Sequence, residues 1–140
     1  MSEKLIQLYE NMYLDGLKLY DYRLIENKAA TICINGAYHI FIDTQRTESI
    51  ADETCAVAHE YAHCKTGTTH SVYSSFELIS KHEYKADKWA VHKLLPFEEY
   101  QQALQEGYTE IWQLAERFNV TEDFIRRADY IYQCEQQLLR

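Results

Sequence analysis

The sequence predicts one α+β domain spanning residues 1–140: an N-terminal helix, a small three-stranded sheet (antiparallel or mixed), then helices to the C-terminus. Three observations predict it. Apolar residues recur at helical spacing near the N-terminus and through the second half of the chain. Three short β-branched or aromatic runs fall between residues 17 and 42, and an Asn35-Gly36 pair separates the last two of them. With 140 residues, 46% hydrophobic and 26% charged, the chain can bury one core but not two. One proline and four glycines leave no flexible interdomain linker.

Residues 4–12 carry Leu5, Leu8, Tyr9 and Met12 on one helical face, and Asp15-Gly16 closes that helix. The strands follow at 17–20, 30–34 and 38–42. Asn35-Gly36 joins the last two as a hairpin whose loop extends to Ala37 at most. A helix over about 49–64 is stopped by the breaker at 65–69, which holds Gly67. A second long helix over about 76–95 ends at Pro96. Shorter helices follow at 97–106, with Gly107 as the stop, and at 109–118. The last runs over 121–138, with Thr121 as N-cap and Glu122 and Asp123 in its first turn.

The formal net charge of -8 argues against a broad nucleic-acid surface, which needs a local excess of Lys and Arg. Cys33, Cys55, Cys64 and Cys134 form no C-x-x-C pair, and residues 1–10 hold no apolar leader segment. No apolar run reaches the length of a membrane span. These features predict a cytoplasmic protein with reduced thiols and no membrane partner. Twelve tyrosines straddle core and surface, or line a groove.

The chemistry centres on His59-Glu60-Tyr61-Ala62-His63, an H-E-x-x-H pattern. Residues four apart lie on one helical face, so both imidazoles can converge on one zinc ion. Glu60 points to a neighbouring direction, suited to taking a proton from water at the metal. Glu83, twenty residues after His63, offers the third ligand. Asp87, one turn later, can accept the free ring N–H of a ligand histidine and fix its orientation. The competing reading makes Glu83 and Asp87 solvated charges among Lys81, Lys85 and Lys88. His82 adjoins Glu83 but diverges from it by about 100° around the helix, so it does not share the ion. His70 and Tyr73, in the loop between the two long helices, are candidates to stabilise an oxyanion, or are plain loop residues. His39 reads as a surface or groove residue and His92 as a surface helix residue. Cys64 reads as a buried thiol or a bystander of the metal.

His59-Glu60-Tyr61-Ala62-His63-Cys64, Gly67, the run from Glu83 to Ala90 and Leu94-Leu95-Pro96 together resemble the ImmA/IrrE family of metallopeptidases. The stretch from Ile111 to Thr121 is similar to that family's element before its last helix, so the resemblance covers roughly residues 47–130. It implies a zincin-like, gluzincin-type fold, His59, His63 and Glu83 as zinc ligands, and Glu60 as catalytic acid/base. It also implies an antirepressor of prophage or integrative-element type that cleaves a helix-turn-helix repressor without binding DNA directly.

The sequence therefore leads to a zinc endopeptidase in which Glu60 takes a water proton and passes it to the leaving amine. Substrate is expected to add as a strand to the sheet edge near residues 38–42, so that proline at Ile40 impairs cleavage more than folding. An alternative is a non-catalytic regulatory module holding a repressor or DNA through helices 109–138. Over residues 109–140, four arginines against six acidic residues disfavour DNA. The sequence leaves the oligomeric state open.

Overall fold

The computed structural model describes residues 2–69 and 74–138, with side chains to residue 136. Helix α1 (Glu3–Leu14) begins where the Ser2 hydroxyl accepts the Leu5 N–H. It ends in paired bonds, Gly16 N–H to the Tyr13 carbonyl and Leu17 N–H to the Met12 carbonyl, with Gly16 at φ 77°. Its Leu5, Leu8 and Met12 are fully buried. Each contributes about 1.5–3 kcal/mol of apolar burial. On the same helix, the Lys4 ammonium donates to the carbonyls of Leu94 and Phe118, at 2.8 Å each. Those carbonyls sit at the ends of two later helices, so α1 ties the two halves of the chain together.

Strands β1 (Lys18–Asp21), β2 (Ala29–Ile34) and β3 (Ala37–Ile42) form a mixed sheet in the order β1-β3-β2. The β2–β3 hairpin turns on Asn35 and Gly36 alone. Both have positive φ (52° and 79°), the geometry that matches the sheet's twist in a two-residue loop. Strand β1 pairs parallel to β3 on its other side. Side chains alternate across the sheet. Leu19, Ile40, Ile42 and Thr31 share the face toward the helices, while Tyr20, His39 and Phe41 stack on the other. His39 is thus a surface residue, its ring nitrogen 3.1 Å from the Tyr20 hydroxyl.

This topology corrects one expectation. The run at 38–42 is not an edge: β3 is paired on both sides, and Ile40 is fully buried. Proline there would break a central strand and the core together, so it cannot separate cleavage from folding. The edge strands of the described sheet are β1 and β2, and of these β2 lines the cleft described below.

Five helices complete the domain: α2 (Ile50–Thr66), α3 (Phe76–Leu94), α4 (Phe97–Gln105), α5 (Ile111–Phe118) and α6 (Glu122–Leu138). Helix α2 is capped by Ser49 and stopped by Gly67 in the left-handed region. Helix α5 starts later than residue 109 because the Gln113 side chain accepts the N–H groups of Thr109 and Glu110, holding both outside the helix. Thr121 caps α6 by accepting the Phe124 N–H at 3.1 Å. Ala58 and Ala62 on α2, and Ala86 and Ala90 on α3, are all buried. Short side chains at i and i+4 on both partners let these two helices pack closely. Among the described residues, no helix is long and apolar enough to cross a membrane.

Candidate metal centre and active site

Close packing of α2 on α3 decides the site. It brings Glu83, one turn before the buried Ala86, over the face of α2 that carries His59 and His63. His59 Nε2 lies 3.1 Å from one Glu83 oxygen, His63 Nε2 lies 3.2 Å from the other, and the two Nε2 atoms are 3.2 Å apart. The imidazole planes stand at 89° to each other. His59, His63 and Glu83 are the one such metal-competent cluster among the described residues.

The donor set fits a small tetrahedral cation. Ligands 2.0–2.1 Å from such an ion stand about 3.3 Å from one another; the two Nε2 atoms are spaced that way, and one donor atom from each of the three residues lies within 4.8 Å of the others. Two imidazoles and a carboxylate suit zinc rather than calcium or magnesium, which take oxygen.

Both histidines have their tautomers set from behind. His63 is buried, and its Nδ1 lies 2.9 Å from the Thr68 hydroxyl. The Thr66 hydroxyl donates to the Ala62 carbonyl at 2.7 Å and is itself 2.7 Å from the Thr68 hydroxyl. Thr66 has spent its proton, so Thr68 donates to Thr66 and accepts from His63 Nδ1–H. Nε2 is left with a lone pair facing Glu83. His59 Nδ1 lies 3.3 Å from Asp87 Oδ1, which also faces the Arg127 guanidinium at 3.3 Å. An ionised carboxylate only accepts, so His59 also carries its proton on Nδ1. Burial acts to lower the His59 pKa; the Asp87 hydrogen bond and the charges of Glu60, Glu83 and Asp87 outweigh it and raise the value.

Glu60 lies beside this cluster on α2, 9% exposed, and the Thr31 hydroxyl on β2 donates to its Oε2. The carboxylate is thus aimed by a strand contact as well as by its own helix. His59, Glu60, His63, Glu83, Asp87 and Thr31 line one cleft of about 820 Å³. Residues 26–31 on and before β2 form one wall, and the first turns of α6, with Asp123, Phe124 and Arg127, form the opposite one.

The sequence-derived residues His59, Glu60, His63, Glu83 and Asp87 therefore meet at one place. His82 stands outside the cluster, and His92 pairs with Glu135 at 2.8 Å on the surface. His70 and Tyr73 lie outside the described residues. Thr31, Thr68 and Arg127 were not singled out from sequence. Thr31 and Arg127 reach the site from 29 and 40 positions away, which no local pattern marks. Thr68 had a readable cue: it directly follows the Gly67 stop, where the chain turns back over the last helical turn.

The sequence matches the Peptidase M78 family, described as the IrrE N-terminal-like domain, over residues 16–128. That span takes in the sheet, α2, α3 and the start of α6. No curated protein and no solved structure gives a significant match.

Proposed function

Because the chain belongs to the Peptidase M78 family of IrrE N-terminal-like proteins, a metallopeptidase family, we propose that it is a zinc-dependent endopeptidase. Its substrate in this reading is a regulatory protein, a helix-turn-helix repressor of a phage or mobile element. The observation that carries the reading is the convergence of His59 Nε2, His63 Nε2 and the Glu83 carboxylate, with the Glu60 carboxylate beside them in an open cleft.

His59, His63 and Glu83 would hold the ion. When bound, it supplies Lewis acidity for a peptide carbonyl and lowers the pKa of a water toward ~7. Glu60 takes the proton from the attacking water and delivers it to the departing amine nitrogen. The Thr31 hydrogen bond holds Glu60 in place while it does so. Thr68 and Asp87 keep both imidazole Nδ1–H groups occupied, so that each Nε2 stays available. The open edge of β2 offers backbone N–H and C=O groups to an extended substrate. The oxyanion donor in this reading is His70 or Tyr73. A purely structural zinc site would have no use for the Glu60 carboxylate.

The test compares cells expressing the wild-type chain with cells expressing Glu60→Gln and maps new protein N-termini across the proteome. New termini within a helix-turn-helix protein, present with wild type and absent with the variant, are the expected result. Equal loss of repression in both, without new termini, would favour the non-catalytic module acting through its C-terminal helices.

A further inference from the structure

Strand β2 packs against helix α2. Just before the strand the Lys28 ammonium meets Asp52 at 2.8 Å, and within it the Thr31 hydroxyl meets Glu60, which sets the register of strand on helix. Two more strand residues advance about 6.6 Å and return to the same face of the sheet. Four more helical residues advance about 6.0 Å and return to the same face of the helix. One step on from Thr31 and Glu60, the next pair is therefore Cys33 and Cys64. The register agrees: Thr31 and Cys33 lie opposite Ile40 and Tyr38, on the face turned toward α2. Both thiols are free, Cys33 exposed and Cys64 half-buried. Cys33 stands two residues before the Asn35-Gly36 turn at the free end of the hairpin, where the strand has room to adjust.

We propose that Cys33 and Cys64 are a redox pair, joined by a hydroperoxide into a disulfide that fastens the end of β2 to α2 beside His63. The exposed Cys33 thiolate attacks hydrogen peroxide, giving a sulfenic acid and hydroxide. The Cys64 sulfur then attacks the Cys33 sulfur: the S–S bond forms, the S–O bond breaks, and the Cys64 proton leaves with that oxygen as water. Overall, two thiols lose two electrons and one peroxide becomes two waters. The bond adds a covalent point to the Lys28–Asp52 and Thr31–Glu60 contacts that hold residues 28–31 on α2, and so restrains the cleft wall. That the clamp regulates substrate entry rests on the peptidase reading; the bond itself does not.

The full-length zinc-loaded protein is treated with hydrogen peroxide, its remaining thiols are alkylated, and it is digested with trypsin. Cleavage leaves Cys33 in the peptide 29–46, and Cys64 together with Cys55 in the peptide 47–65. The expected product is these two peptides joined, two hydrogens lighter than their sum, reversible by dithiothreitol and monomeric on a gel. It should persist in Cys55→Ser and disappear in Cys33→Ser and Cys64→Ser. Because Cys33 is exposed, Cys33→Ser should fold even if Cys64→Ser does not. Amide exchange of residues 29–34 should slow in the oxidised protein. A product that survives Cys64→Ser, one found only between chains, or no linked peptide at all would overturn the pair. Zinc content and proteolysis are not read in this assay, so failure of the peptidase reading would leave its outcome unchanged.

Discussion

His63 Nδ1 lies 2.9 Å from the Thr68 hydroxyl, five residues further along a chain that Gly67 has just turned back on itself. The Thr68 N–H also bonds the His63 carbonyl at 3.1 Å, so one residue grips His63 at backbone and ring. Thr68→Val keeps the shape but removes the acceptor for the ring N–H. Zinc affinity should fall by roughly 10–100-fold, the usual effect of losing such a supporting bond. Thr68→Ser should recover most of it. Competition titration against a chromophoric chelator measures both; unchanged affinity in Thr68→Val would remove Thr68 from the site.

Asp87 performs the same service for His59 and is itself faced by Arg127. Asp87→Ala should weaken zinc binding by a similar ~10–100-fold. Arg127→Met leaves the carboxylate in place, so it should cost less than Asp87→Ala in the same titration. If Arg127→Met cost as much, the guanidinium would have to be holding the site together by itself.

Lys4 makes two hydrogen bonds from a largely buried ammonium to the ends of α3 and α5. Lys4→Met strands two helix-terminal carbonyls and removes a cation from two helix C-termini. A loss of about 1.5–3 kcal/mol is expected, the range for a hydrogen bond to a charged group. Denaturant unfolding of the purified protein measures it, and a loss below about 0.5 kcal/mol, within the range of ordinary surface changes, would contradict the staple.

Burial raises the phenols of Tyr9, Tyr61, Tyr100 and Tyr132 above their ordinary value of 10.0. Hydrogen bonds to Glu53, Asp15 and Asp129 add to the effect for the first three. The sign follows from proton linkage. Above pH 10 the unfolded chain loses these protons while the folded chain keeps them, so the stability they provide is present below pH 10 and is lost as pH rises through the folded values. Thermal midpoints should therefore drop steeply above about pH 10. Tyr132→Phe, whose phenol donates to the Leu95 carbonyl at 2.6 Å, should flatten that drop. A midpoint independent of pH up to 11 would contradict the burial of these groups.

The site was readable wherever its geometry is local. Helical spacing alone puts His59 and His63 on one face and Asp87 one turn beyond Glu83, and the α+β layout follows from periodicity and the Asn35-Gly36 turn. The order of the sheet was not readable. A two-residue loop announces the β2–β3 hairpin, but nothing local says that β1 will pair on the far side of β3. That pairing makes β3 the central strand and leaves β1 and β2 as the edges. The Thr31–Glu60 contact depends on the same non-local packing.

The most direct test of the central claim is the metal itself. Each purified protein is equilibrated with zinc, dialysed, and measured by elemental analysis, with circular dichroism to verify folding. One zinc per chain is expected in the wild type and in Glu60→Gln, and none in folded His63→Ala or Glu83→Ala. A wild-type chain that retains no zinc, or a His63→Ala variant that retains it in full, would contradict the account.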